Sequence, residues 1–136
     1  MERSPEIEQL VRDWFAAASR GDPSVVDQNV STDPAVRVVG SDPGEWIRGG
    51  DKVAEFLRGE VEGAAGEVAF TPSEIEGYRQ GDVGWAAAKL TISLSDGKRV
   101  QPRWTAVFVN DGSWKFVQTH ASIAVPNDQV GWTYAG

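Results

Sequence analysis

Ile7, Leu10, Val11, Trp14, Phe15 and Ala18 recur at offsets of 0, 3, 4, 7, 8 and 11, one continuous apolar stripe along a long amphipathic helix. Ser4-Pro5-Glu6 supplies its start: an N-cap hydroxyl, a proline at the first helical position and an acid that complements the helix dipole. Gly21 terminates it, and Asp22-Pro23 repeats the cap-plus-proline signal for a second, short helix to about Val30. Ser31-Thr32-Asp33-Pro34 breaks that helix, and the β-branched Val36, Val38 and Val39 predict a strand ending near Gly40. After the turn residues Ser41-Asp42-Pro43-Gly44 come a short strand over 45–48 and a third helix capped by Asp51, with Val53, Phe56, Leu57 and Val61 on its buried side.

From Val68 onward, β-branched and aromatic residues lie between turn signals at Gly81-Asp82, Asp96-Gly97 and Asp111-Gly112. Four antiparallel strands are expected, over about 68–78, 83–94, 98–110 and 113–125. The tail from Pro126 to Gly136 has no period but carries Trp132 and Tyr134, which predicts docking on a surface. Helices followed by a meander make the fold α+β, with the helices on one face of a curved sheet. A single domain spanning 1–136 is expected, with its core over about 5–126.

Composition narrows the chemistry. With 13 Lys plus Arg against 20 Asp plus Glu, the net charge of −7 and the lack of a basic cluster argue against nucleic acid as a partner. The absence of cysteine removes disulfides, thiolate nucleophiles and Cys-based zinc sites, and one histidine removes a multi-His metal centre. No metal and no cofactor are expected. The N-terminus lacks the apolar stretch of a signal peptide and no apolar run reaches the length of a membrane span, so a cytoplasmic protein without membrane contact is expected.

Several segments together resemble the nuclear transport factor 2-like superfamily, in particular its SnoaL-like members. They are the opening helix with Trp14-Phe15 and Gly21-Asp22, the run Gly40-Ser41-Asp42-Pro43-Gly44-Glu45-Trp46, the strand Arg103 to Phe108, and the ending Trp114 to Ser122. That ending is also similar to the association domain of calcium/calmodulin-dependent kinases. The resemblance implies a cone-shaped fold, three N-terminal helices packed on a strongly curved, mostly antiparallel sheet that encloses a cavity. It also implies dimerisation through the outer face of the sheet. The aspartate base and tyrosine donor of the superfamily's steroid isomerases and polyketide cyclases have no counterparts here: Trp14 stands at the tyrosine position, Arg37, Val38 and Val39 fall around the base position, and Asp33 and Asp42 read as turn residues.

The last hairpin indicates what lines the cavity. A two-residue Asp111-Gly112 turn pairs Val109 with Trp114, Val107 with Phe116, Thr105 with Gln118 and Arg103 with His120. One face is then apolar near the turn and polar toward Arg103, Thr105, Gln118, His120 and Ser122, as an apolar pocket with orienting groups at one end requires. The other face, with Trp104, Ala106, Phe108 and Ile123, would need a cover such as a second copy of the chain. A three-residue loop with a bulge would exchange the two faces, because strand side chains alternate. Which face of the 83–94 strand looks inward stays open, Trp85, Ala87 and Lys89 or Ala86, Ala88 and Leu90.

His120 is the one side chain whose ordinary pKa, about 6.5, suits proton transfer near neutrality. It is the candidate catalytic residue, and a histidine merely satisfied by Thr105 or Gln118 is the structural alternative. Candidate ligand contacts are Trp14, Trp46, Phe56, Arg103, Thr105, Phe116, Gln118 and Ser122. An Arg103 beside His120 would favour an anionic or carbonyl-bearing guest over a cationic one. The expected function is binding of a small, largely apolar or carbonyl-bearing molecule by a homodimer. A cofactor-independent acid/base enzyme using His120 and a non-enzymatic oligomerisation or accessory module are the alternatives.

Overall fold

The computed structural model describes residues 1–131, so the expectation that Trp132 and Tyr134 dock on a surface lies outside the described residues. The elements run β1 (Glu2–Arg3), α1 (Pro5–Arg20), α2 (Ser24–Asn29), β2 (Arg37–Val39), β3 (Trp46–Arg48), α3 (Gly50–Ala64), β4 (Val68–Gln80), β5 (Val83–Leu94), β6 (Arg99–Val100), β7 (Arg103–Asn110) and β8 (Trp114–Ser122), then a 3-10 turn (Asn127–Val130). The α+β class and the three helices match the sequence reading; β1 was not anticipated, being too short to show a period.

The sheet order is β1-β4-β5-β7-β8-β2-β3, with β6 paired to β5. Among the described strands all pairings are antiparallel except β2 with β8, which brings the helical N-terminal third back alongside the last strand of the meander. Gln101-Pro102 divides the expected 98–110 strand, since proline has no N–H for the ladder; its carbonyl instead accepts from Leu90 N at 3.0 Å.

α1 forms where the cap signals placed it. Ser4 is buried and its Oγ accepts from Ile7 N at 3.3 Å, while Gly21 closes the helix in the left-handed region at φ 71°. Side chain at Gly21 is excluded twice over, because a Cβ there would lie 2.4 Å from the Cβ of Ala65 after α3. α3 starts one residue before the expected cap: Gly49 (φ 93°) holds the N-cap position and Asp51 lies in the first turn. Gly50 is seated against the Thr32 backbone, 2.5 Å from where its Cβ would be, so no larger residue fits this junction without a shift.

The apolar stripe of α1 rests on the inner face of β4, β5, β7 and β8. Gly77 and Gly84 leave room for it: a Cβ on Gly84 would meet Ile7 Cδ1 at 2.4 Å. Aromatic rings occupy the centre, with Trp14 4.8 Å from Phe116, Phe116 4.6 Å from Phe108, and Phe15 edge-on to Trp104 at 5.1 Å between centroids. On β5 the inward residues are Ala86, Ala88 and Leu90, which settles the open alternative.

The β7–β8 hairpin departs from the expected register. Its loop is Asp111-Gly112-Ser113, one residue longer than the two-residue turn, and Asn110 Oδ1 accepts from Gly112 N at 3.0 Å. Asn110 therefore faces Trp114 and Phe108 faces Phe116; past a bulge at Val117, Val107 faces Gln118, Thr105 faces His120 and Arg103 faces Ser122. Trp104, Ala106 and Phe108, expected on the outer face, are buried in the core. No helix among the described residues is long and apolar enough to cross a membrane.

Candidate functional site: an aromatic cavity with a carboxylate rim

Between α1, α3 and the inner face of the sheet lies a cavity of about 170 Å³. Its walls come from distant parts of the chain: Trp14 and Phe15 from α1, Phe56 from α3, Phe70 from β4 and Trp104 from β7. Ser41 and Glu60 are the exposed lining residues and Glu45 is half-buried, which places the opening between the β2–β3 turn and α3. Thr119 supplies a polar side chain inside, only 8% exposed and engaged in no side-chain hydrogen bond among the described residues.

The two carboxylates are set differently. Glu45 is half-buried and folded over Gly40, and its Oε1 accepts from Asp42 N at 3.0 Å, so the β2–β3 turn holds it in place. Glu60 follows Phe56 by one helical turn and reaches the same opening. Burial against the apolar wall, followed by the neighbouring charge of Glu45, raises the Glu60 carboxyl above its ordinary pKa. No lysine, arginine or histidine lines this cavity among the described residues.

Of the candidate contacts, Trp14 and Phe56 line this cavity. The other expected contacts are elsewhere. Arg103, Thr105, Gln118 and His120 are exposed on the outer face, and Ser122, half-buried there, accepts a hydrogen bond from Arg103 Nη2 at 3.3 Å. Trp46 is 61% exposed on the sheet edge, and Phe116 is packed in the core beneath the wall. The bulge at Val117 is the physical reason: it turns Gln118, His120 and Ser122 outward and Thr119 and Ala121 inward. Arg103 consequently faces Ser122 rather than His120, and neither side chain lines the cavity.

Glu60 and Thr119 were missed in the sequence. Glu60 could have been found from its helical spacing to Phe56 and Leu57, since positions four and three apart share a face. Thr119 had no such signal, because its direction depends on the bulge.

The SnoaL-like domain family model matches residues 7–126. The chain belongs to the SnoaL-like domain family. Its fold is nuclear transport factor 2-like, and among solved structures it is similar to an NTF2-like protein of unknown function from Pseudomonas putida, with a TM-score of 0.81, 16% identity and 94% of each chain covered. A candidate ketosteroid isomerase from Parabacteroides distasonis has a TM-score of 0.69 at 22% identity, covering 88% of this chain and 86% of that one. A candidate calcium/calmodulin-dependent protein kinase II association domain from Xanthomonas campestris has a TM-score of 0.69 at 20% identity, covering 93% and 96%. No curated protein matches the sequence.

Proposed function

We propose that this SnoaL-like domain binds a small, largely apolar molecule with one polar end in the cavity between α1, α3 and the sheet. The observation that carries the reading is an aromatic-walled space of about 170 Å³ with a buried, disengaged Thr119 inside it. An apolar cavity of about 150 Å³ accommodates benzene, so the size supports a guest of one ring rather than a fused polycycle. Family membership supports the same use of the fold.

A second reading is an acid/base enzyme in which Glu60 moves the proton. Its raised pKa at the mouth of an apolar cavity supports this role better than the exposed His120 does. Turnover of a bound guest that disappears in Glu60→Gln while binding persists would establish it.

We also propose that the outer sheet face pairs with a second copy of the chain. Stacked Tyr78 and Trp85, 4.9 Å apart, stand there beside Ala87, Val107 and Val109, an apolar strip between polar margins. The cavity reading is tested by thermal shift and tryptophan fluorescence with one-ring compounds on the native chain and on Ala121→Phe, which fills the wall. Stabilisation of the native chain alone supports it; equal stabilisation of both removes it.

A further inference from the structure

We propose that the cavity selects a guest whose polar end is cationic, a protonated amine on a single ring or compact apolar body. This rests on the cavity being a binding site and adds the charge class of its ligand.

Three independent features point the same way. First, the charged groups on the lining, Glu45 and Glu60, are both acids, and no basic side chain accompanies them among the described residues. An anionic guest would bring a third negative charge to an opening with no counter-charge, at a cost that low-dielectric walls increase. Second, the walls are lined by Trp14, Phe15, Phe56 and Trp104, and aromatic side chains accept a cation as well as an apolar body. Third, Thr119 is more than nine-tenths buried on the same wall, and its hydroxyl has a free lone pair to accept an N–H.

The state of Glu60 fits this assignment. The opening holds two carboxylates whose charges oppose each other, and this opposition adds to burial in raising the Glu60 pKa. An ammonium between them reverses the sign of that interaction and draws the Glu60 carboxyl back toward its ionised form. Binding therefore releases protons at a pH where free Glu60 is partly protonated, and is favoured as pH rises through the Glu60 titration. Outward placement of Arg103 removes the positive charge that would have opposed such a guest.

The test uses three one-ring probes of matched size at pH 7: benzylamine, benzyl alcohol and benzoate, titrated into the native chain by calorimetry and tryptophan fluorescence. Benzylamine is expected to bind at least tenfold more tightly than benzyl alcohol, and benzoate more weakly than either. Glu60→Gln and Glu45→Gln, both at water-accessible positions, are expected to lower the ratio of amine to benzyl alcohol affinity at least threefold each, and a ratio unchanged in both variants overturns the charge assignment. Amine binding should vanish in Ala121→Phe, with folding confirmed by a cooperative melt; binding that survives there reflects the acidic surface and overturns the inference. Equal affinity for amine and alcohol overturns the charge assignment and leaves the cavity reading standing. Failure of all three probes to bind overturns both.

Discussion

Phe116 stands opposite Phe108 across the β7–β8 ladder while Gln118 stands opposite Val107, so Val117 is the one residue of this stretch with no partner. That single bulged residue decides the chemistry of two surfaces. Before it, Trp114 and Phe116 point into the core; after it, Thr119 and Ala121 do, and His120 is turned to the outside.

Deletion of Val117 therefore leaves every other residue of β8 on its present face, since regular alternation then takes over from the bulge. The deletion variant is expected to melt cooperatively with a loss of no more than about 2 kcal/mol, the local twist being the main casualty. An added residue between Gln118 and Thr119 leaves Gln118 outward but turns His120 toward the aromatic core and Thr119 and Ala121 away from it, and should abolish the cooperative melt.

His120→Ala removes an exposed side chain with no hydrogen bond to lose among those of the described residues. Stability should stay within about 0.5 kcal/mol of the native value, and binding of any cavity guest should be unchanged. A tenfold loss of affinity in this variant would place the site on the outer face.

Glu8 joins α1 to the β1 and β4 edge: Oε2 accepts from Gly77 N at 3.0 Å and pairs with Arg3. Burial pushes its pKa up, but the Gly77 hydrogen bond and the Arg3 pairing outweigh burial and leave it below the ordinary 4.5. A carboxylate with a depressed pKa stabilises the fold fully above the unfolded value and loses that contribution as pH falls through the folded one. Glu8→Ala is expected to cost about 1–3 kcal/mol near neutrality, because the Gly77 N–H loses its partner, and to flatten the acid limb of stability below pH 4.5. Urea melts from pH 3 to pH 7 measure both.

Glu60 has the opposite sign. Its folded pKa is raised, so the native state favours the protonated form, and ionisation destabilises the fold progressively as pH climbs from the ordinary 4.5 through the folded value. Glu60→Gln should gain stability at pH 7 and show no gain at pH 3.5. Because the carboxylate still meets water, the gain should be under about 1 kcal/mol.

Gly84 is required by contact rather than by backbone freedom. A Cβ would lie 2.4 Å from Ile7 Cδ1 and 2.7 Å from the Tyr78 carbonyl oxygen, and only the first of these is a flexible tip. Gly84→Ala should cost about 1–3 kcal/mol in chemical denaturation, with partial recovery in combination with Ile7→Val.

The helices and most strands were legible because their signals are local. Ser4-Pro5-Glu6, Gly21 and the stripe from Ile7 to Ala18 define α1 with hydrogen bonds and burial that need no information from elsewhere in the chain. The order of those elements, with the Trp114 to Ser122 ending, also sufficed to recognise the SnoaL-like fold. The inward faces that carry Trp14 and Phe56 were legible, since the stripe of a helix names the side it buries.

The polar end of the cavity was not legible, for two reasons rooted in how strands and loops work. Strand alternation has a period of two, so one extra loop residue at Ser113 and one bulge at Val117 each reverse it, and neither leaves a mark in hydrophobicity. The pairing of Glu45 with Glu60 joins a turn to a helix face through packing, a relationship that exists only once α3 lies over the sheet. The amino-acid sequence alone determined the elements, their order and the aromatic content of the interior, because capping, helical period and burial of apolar surface act over a few residues. Which polar groups face the cavity, two acids in place of an arginine and a histidine, was decided by tertiary structure, since register and long-range packing set the direction of each side chain.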